Sequence, residues 1–409
     1  MISKSWKDAC LSEVCEINPG KRTLLDKDKE MEVSFLPMAA VSEDGKILSQ
    51  ERRKLKDVIK GYTNFQDGDV LLAKITPCFE NGKRAIARDL TNGIGFGSTE
   101  FHVLRPSSEV TSDWIFYAIS RSDFCNVAKS QMTGTAGQKR VPSRVLEQFR
   151  IPIPSVLEQE GIVGNIETQF TRLEVAIKSL TMVKAKLDLY RKSVLKAAFA
   201  GVLTNCPVTD TIRMGDVATL RAGTGFPKMY QNKRGLDYGF YKVGDISRAW
   251  LKKSINLLEP EHEISKTTLE QIKGKLIPTG SVVFAKIGEA LKLNRRAVTQ
   301  SNCLVDNNVF ALTPLMGSLD LRFLFYFMLT IDLAKNSRAT TVPSLRKEDV
   351  EGIKMPAFSH KEQKRIVEQI ELRFSVINKV IEIIDRSLLR AEQLRKSILK
   401  TAFEGNLKN

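Results

Sequence analysis

Histidine is scarce in this 409-residue chain: His102, His262 and His360 stand far apart, without an obvious nucleophile beside them. General acid–base chemistry most often recruits histidine, so the scarcity argues against an ordinary catalytic site. Six cysteines, at positions 10, 15, 78, 125, 206 and 303, form no C-x-x-C pair. Neither a disulfide framework nor a zinc site is indicated, and free thiols in a reducing cytoplasm are expected. No G-x-x-x-x-G-K-[S/T] loop is present to cradle a nucleotide. The single Asn-Pro, Asn18-Pro19, is followed by Gly20, so the Asn/Asp-Pro-Pro-aromatic loop that a methyltransferase needs is missing. Phe323 to Leu329 is too short to span a bilayer, and Met1 to Asp8 lacks the apolar core of a signal peptide. A soluble, cytoplasmic protein without a membrane partner is expected.

What the chain has in excess is positive charge, with 63 Lys and Arg against 47 Asp and Glu, a formal net charge of +16. That balance favours a polyanionic partner such as nucleic acid. Apolar residues at 42% and charged residues at 27% are ordinary for a globular protein, and the length allows two to four domains.

The chain also repeats itself. Arg191-Lys192-Ser193-Val194-Leu195-Lys196-Ala197-Ala198-Phe199 returns as Arg395-Lys396-Ser397-Ile398-Leu399-Lys400-Thr401-Ala402-Phe403, a shift of 204. The same shift places Glu158-Gln159 on Glu362-Gln363, Ile166-Glu167 on Ile370-Glu371 and Phe170 on Phe374. Upstream, Val141-Pro142-Ser143 is matched with Val342-Pro343-Ser344, Ile151 to Pro154 with Ile353 to Pro356, and Val70 to Ile75 with Val282 to Ile287. Lys83-Arg84-Ala85-Ile86 answers Arg295-Arg296-Ala297-Val298. Each copy is thus a variable domain followed by a more uniform segment.

The uniform segments carry a heptad seam: Ile166, Leu173, Leu180, Leu187 and Val194 in the first, Ile370, Ile377, Ile384, Ala391 and Ile398 in the second. Ile366, Val380 and Leu394 are expected at the alternate seam positions. Gly201 and Gly405 stand where such helices would end. One helix cannot bury a seam alone, so the two are expected to pack on each other. The variable parts read as short strands at 69–75, 101–104, 281–287 and 309–312, with a helix at 114–119 and another at 321–329. Gly93-Ile94-Gly95-Phe96-Gly97 reads as a turn before a strand, not as a cofactor loop.

At this point the sequence resembles the specificity subunit of Type I restriction-modification systems. The residues that carry the resemblance are Ile151 to Glu160, with its echo Met355 to Gln363, and the duplicated Arg-Lys-Ser-x-Leu-Lys-x-Ala-Phe-x-Gly-x-Leu ending. The resemblance implies an α+β chain: a target-recognition domain (1–155), a long helix (156–203), a second recognition domain (204–357) and a second long helix (358–409). It implies that the helices form an antiparallel coiled coil acting as a spacer, and that each domain reads one half of a split double-stranded DNA target. Two methyltransferase subunits would carry the active sites and S-adenosylmethionine. Restriction subunits, where present, would bring ATP and Mg. This chain itself would hold no cofactor and no catalytic residue.

Basic and amide side chains in the loops of the variable domains are the candidates for touching DNA, since Arg and Lys suit guanine edges and phosphates while Gln and Asn suit adenine. One cluster is Lys74, Thr76, Lys83 and Arg84, with its counterpart Lys286, Lys292, Asn294, Arg295 and Arg296. Another is Gln138, Lys139 and Arg140, answered by Arg338, Thr340 and Thr341. A third covers Arg221 to Lys228, where Gly223 and Gly225 would allow close backbone approach, and Lys242 to Arg248. Two other classes stay open at this point. Asp67, Asp69 and Glu80 could form the carboxylate cluster of an autonomous nuclease, although Thr279 and Ser281 replace the first two in the second copy. The alternative is a basic coiled-coil scaffold binding RNA or an acidic protein.

Overall fold

The computed structural model describes residues 6–20, 29–335 and 343–407. They form two compact units, Met1–Thr181 with Asp385–Asn409, and Met182–Ile384. Each unit therefore contains one variable domain and a part of each long helix.

In the first unit, strands Cys15–Ile17, Phe101–Pro106, Val70–Ala73 and Arg84–Ile86 form an antiparallel sheet in that spatial order. A second sheet lines up Glu51–Lys54, Glu32–Leu36, Ile94–Gly97 and Thr63–Gln66. Lys7–Cys10 pairs with Arg150–Ile153. The 93–97 segment is therefore mostly a strand and not a turn. Its glycines are explained by packing, because a Cβ on Gly95 would sit 2.1 Å from the Phe65 ring and one on Gly97 would sit 2.4 Å from the Leu36 carbonyl oxygen.

The second unit repeats the plan. Ala218–Ala222, Val309–Pro314, Val282–Ala285 and Arg296–Val298 form the four-stranded sheet, and His262–Ile264, Tyr238–Tyr241 and Leu304–Val305 a smaller one. The expected strands and the helices Ser112–Ala118 and Leu321–Thr330 lie where the apolar runs place them. Short helices at Ser122–Ser130, Ser143–Gln148, Val243–Leu251, Lys266–Gln271 and Lys347–Glu351 come in addition.

One sequence match is overturned by the hydrogen bonds. Val141 N donates to Lys74 O (2.9 Å), and in the second unit it is Leu345 N that donates to Lys286 O (2.9 Å). Structurally, then, Val141 answers Leu345, and the repeated Val-Pro-Ser lies three residues out of register. Bridges Ile75 to Arg140 and Ile287 to Ser344 give the same correspondence.

The long helices run over Val156–Phe199 and His360–Phe403. Each begins at a Ser-x-x-Glu capping sequence: Glu158 N donates to Ser155 Oγ (3.4 Å), Ser155 N returns a bond to Glu158 Oε2 (3.0 Å), and Glu362 N donates to Ser359 Oγ (3.3 Å). Gly201 closes the first at φ +74°, where a Cβ would meet the Cys206 carbonyl oxygen at 1.8 Å. In the first unit Val163 and Ile166 share a core with Ile398, Leu399, Ala402 and Phe403. In the second, Leu195, Ala198 and Phe199 share one with Ile366, Val367 and Ile370. The segments run antiparallel in each unit. Ile166, Val194, Ile370, Ile377, Ile384 and Ile398 are buried, whereas Leu173, Leu180 and Leu187 are half-buried.

Leu394 does not fill the seam, being 50% exposed. Its neighbour Arg395 turns inward instead, 4.7 Å from the Phe170 ring centroid and 2.8 Å from Glu174 Oε1. The second unit repeats this device: Arg191 lies 5.6 Å from the Phe374 centroid and bonds Asn378 Oδ1. A long arginine stem covers apolar surface while its head stays polar, which is why it can displace a leucine there.

Candidate nucleic-acid interface

In the first unit the loop leaving strand Val70–Ala73 and the loop before helix Ser143–Gln148 are zipped together. Thr76 N donates to Lys139 O (2.9 Å), Lys139 N donates to Thr76 Oγ1 (3.1 Å), and Thr133 and Arg140 exchange backbone bonds of 3.0 and 2.8 Å. The pairing brings two clusters that lie far apart in the sequence, Lys74 with Thr76 and Gln138 with Lys139 and Arg140, into one site. Buried His102 braces it from below, its Nε2 2.8 Å from Val141 O and its Nδ1 against Asn18, and burial lowers its pKa.

Within this site the side chains divide by how committed they are. Arg140 makes a fork on Glu100, with Nε 3.0 Å from Oε2 and Nη2 2.8 Å from Oε1, and its hydrogen bonds hold the Glu100 carboxyl below its ordinary range. Lys83 donates to Met38 O (3.1 Å). Lys139 and Gln138 are exposed, and the half-exposed Lys74 forms no ion pair among the described residues. Arg84 donates to Gly82 O (3.2 Å), lies 5.4 Å from the Phe116 centroid, and has its pKa lowered by burial.

The second unit offers the same frame with other side chains. Lys286 occupies the place of Lys74, its Nζ 5.3 Å from the Phe310 ring centroid. Gly288 N donates to Pro343 O (2.8 Å), Ser344 stands where Arg140 does, and Asn308 stands where Glu100 does. Lys292 pairs with Glu289 at 2.6 Å, and Arg295 is half-exposed. Arg296 differs from what its sequence suggests: it is 1% exposed, bonded to Arg295 O (2.9 Å), Asn294 Oδ1 (2.6 Å) and Ile331 O (3.3 Å). Burial pulls its pKa down to about 9. Enclosed in this way, it is out of reach of a duplex and serves to tie the turn at 331–333 to its strand. Arg338, Thr340 and Thr341 lie outside the described residues.

The third cluster is partly engaged. Arg221 donates to Thr313 Oγ1 (3.2 Å), and Arg248 is shared between Asp245 and Glu261. A Cβ on Gly223 would meet Asp306 O at 2.0 Å, so the close approach this glycine permits is to the protein's own backbone. The carboxylates considered for a nuclease are likewise occupied. Asp69 is fully buried against Arg105 (2.9 and 2.8 Å) and the Gln66 amide (2.8 Å), and Asp67 accepts from Leu90 N (3.0 Å).

Sequence reasoning missed Glu100 as the partner that aims Arg140, because the two lie 40 positions apart. It also missed the Phe170, Glu174 and Arg395 trio. The shift of 204 could have pointed to that trio, since it carries Phe170 and Glu174 onto Phe374 and Asn378, the two residues that hold Arg191.

Comparison with known proteins fits this duplicated frame. Over 192 residues the chain is 43% identical to the Type I restriction enzyme EcoEI specificity subunit of Escherichia coli, a match covering 46% of this chain and 32% of that protein. The EcoAI specificity subunit of Escherichia coli is also 43% identical, over 196 residues and with the same coverage. The chain thus spans about a third of the length of these two relatives. Among solved structures, a chain described under "complex assembly and conformational transition of the type I R-M system" superposes with a TM-score of 0.84 at 20% identity, covering all of both chains. The HsdS subunit from Thermoanaerobacter tengcongensis follows at 0.66 and 22% identity, covering 99% of this chain and 98% of that one. Both likenesses establish the fold. The model of the Type I restriction modification DNA specificity domain matches twice, at residues 3–180 and 209–384, and the chain belongs to that family.

Proposed function

We infer that the chain is the sequence-reading subunit of a Type I restriction-modification system. Each unit would read one part of a two-part double-stranded DNA target, with the long helices as the spacer. Methyltransferase subunits, and restriction subunits where present, would supply the chemistry with their own S-adenosylmethionine, ATP and Mg. The observation that carries this reading is the repeated loop site: one backbone frame holds Lys74 or Lys286 in place, while Arg140 and Glu100 in one unit become Ser344 and Asn308 in the other. A conserved frame with altered side chains is what reading two different base sequences requires. In this proposal Lys74, Thr76, Lys83, Gln138, Lys139, Lys286, Lys292, Asn294 and Arg295 face DNA, and Arg140 is aimed by Glu100.

The test is co-expression with the methyltransferase of a neighbouring gene, followed by sequencing of methylated sites. A split motif is expected, and exchanging residues 1–155 for the same domain of a relative should alter one half of it. Absence of any split motif, or a change in both halves, would reject the proposal.

A further inference from the structure

The second unit carries a loop that the paired-loop site does not explain. After strand Ala218–Ala222 the chain passes through residues 223–237 before entering strand Tyr238–Tyr241. This excursion is held at several points. Phe226 stacks on buried Phe240 with centroids 3.7 Å apart and planes 8° from parallel. Lys242 Nζ reaches Gln231 Oε1 (2.6 Å), and Gln231 Nε2 donates to Phe226 O (3.0 Å). Asn232 N donates to His262 Nδ1 (3.0 Å), and Glu263 N donates to Lys233 O (2.8 Å). Thr224 Oγ1 accepts from Lys275 N (3.0 Å), which brings a second basic segment beside the loop.

What this anchored loop displays is chemically one-sided. Lys228, Lys233, Arg234 and Lys275 are exposed and form no ion pair among the described residues. The nearby carboxylates are turned to backbone amides, Glu263 Oε2 to Leu236 N (2.9 Å) and Asp237 Oδ2 to Lys266 N (2.8 Å). Among the cations stands Met229, 72% exposed, next to Tyr230, whose hydroxyl is tied to Gln271 Oε1 (3.1 Å). Lys233 Nζ lies 5.6 Å from the Tyr230 ring centroid, so the loop carries its large exposed apolar side chain beside cations that form no ion pair among the described residues. It matches the way proteins grip a duplex, with cations on the phosphates and an apolar tip in a groove.

We propose that residues 224–237 form a separate duplex-gripping element of the second unit, in which Lys228, Lys233 and Arg234 hold phosphates and Met229 packs into a groove. The inference rests on the DNA-reading role proposed above and adds to it a contact surface outside the paired loops. Because the cations act on phosphates, the element contributes affinity for any sequence, and Met229 contributes apolar contact that salt does not screen.

The test uses the full chain, its native form against Lys228→Gln/Lys233→Gln/Arg234→Gln and Met229→Ser, with fluorescence anisotropy on a 30-base-pair duplex across a salt series. Each lost phosphate contact lowers the slope of log K against log salt by about 0.9, so the triple variant should lose about 2.7. Met229→Ser should weaken binding by about tenfold with the slope unchanged. Thermal melts matching the native protein show that the variants fold, and Arg234→Gln alone, with a slope loss of about 0.9, serves if the triple variant does not. An unchanged slope together with unchanged affinity in Met229→Ser overturns the element while leaving the DNA-reading role intact. Failure of the native chain to bind duplex overturns that role and the element with it. Tighter binding of the native chain to single-stranded RNA of equal length assigns the loop to RNA and likewise overturns the proposal.

Discussion

Gln159 is a buried residue whose removal has a calculable effect. Its carboxamide is fully enclosed, with Oε1 accepting from Thr111 N (2.9 Å) and Nε2 donating to Glu109 O (2.8 Å) and Pro154 O (2.9 Å). Leucine is close in size and makes none of these bonds, so Gln159→Leu strands three backbone groups. At a net value of about 1 kcal/mol per bond the loss is about 3 kcal/mol, and more where water cannot reach the orphaned groups. For a domain of this size that lowers the melting temperature by roughly 6–12 °C. The effect should be local, because Thr111 caps helix Ser112–Ala118 through Trp114 N (3.1 Å) and Trp114 lies in the core against Phe403 (centroids 4.2 Å). Hydrogen exchange followed by mass spectrometry should show faster exchange over 109–118. Gln363 repeats the arrangement, bonded to Asp320 N (2.7 Å), Ser318 O (3.2 Å) and Phe358 O (3.0 Å), and Gln363→Leu should loosen 318–330 instead. The reasoning fails if Gln159→Leu melts with the native protein, or if it speeds exchange equally in both segments.

Three further outcomes follow from buried or paired charges. His102 and His262 both have pKa values lowered by burial, so the unfolded chain takes up protons first as pH falls; their contribution to stability is complete above about 6.5 and declines below it, and His102→Asn should flatten part of that decline in urea titrations at pH 7 and pH 5. Arg296→Met removes a charge that has no carboxylate in bonding contact among the described residues and should cost less than about 1 kcal/mol or even stabilise the fold, whereas a loss above about 2 kcal/mol in denaturant titration would show that its bonds to Asn294 and Ile331 outweigh its desolvation. Asn378→Glu gives Arg191 the carboxylate that Glu174 gives Arg395, and on this exposed surface the gain should stay below about 1 kcal/mol, with a larger rise in melting temperature counting against the argument.

Period and repetition made the frame legible. Heptad spacing located both long helices, and short apolar runs bounded by Gly and Pro located the central strands. What stayed hidden depended on register and long-range pairing. Val-Pro-Ser matches by letters at 141–143 and 342–344, yet the strand hydrogen bonds set Leu345 opposite Lys286, because pairing follows the backbone and not the local string. Leu394 satisfies the heptad by type, but the helix presents Arg395 at that position over Phe170. Among the candidate contact residues, composition could not separate Lys139, which faces solvent, from Arg296, which is enclosed by groups from 294–295 and 331. Both are basic and both flank apolar runs. Only the fold decides which guanidinium or ammonium is free.

That distinction bears on how one frame could serve two targets in the proposed DNA-reading role. The bonds that the two paired-loop sites have in common are made by backbone atoms: Lys74 N to Glu100 O and Lys286 N to Asn308 O, Val141 N to Lys74 O and Leu345 N to Lys286 O. Backbone bonds place no demand on the side chains that project from them. The sheet beneath is set by equally generic pairings, Leu72 opposite Arg84 and Phe284 opposite Arg296. Side chains at the loop positions can therefore diverge, from Arg140 with Glu100 to Ser344 with Asn308, without disturbing the strand registers. Substitutions confined to these positions cost little folding energy, as surface changes away from cores and caps generally do. In the proposed DNA-reading role, a site of this kind changes the bases it reads while keeping its architecture, and the duplication lets the two units change separately.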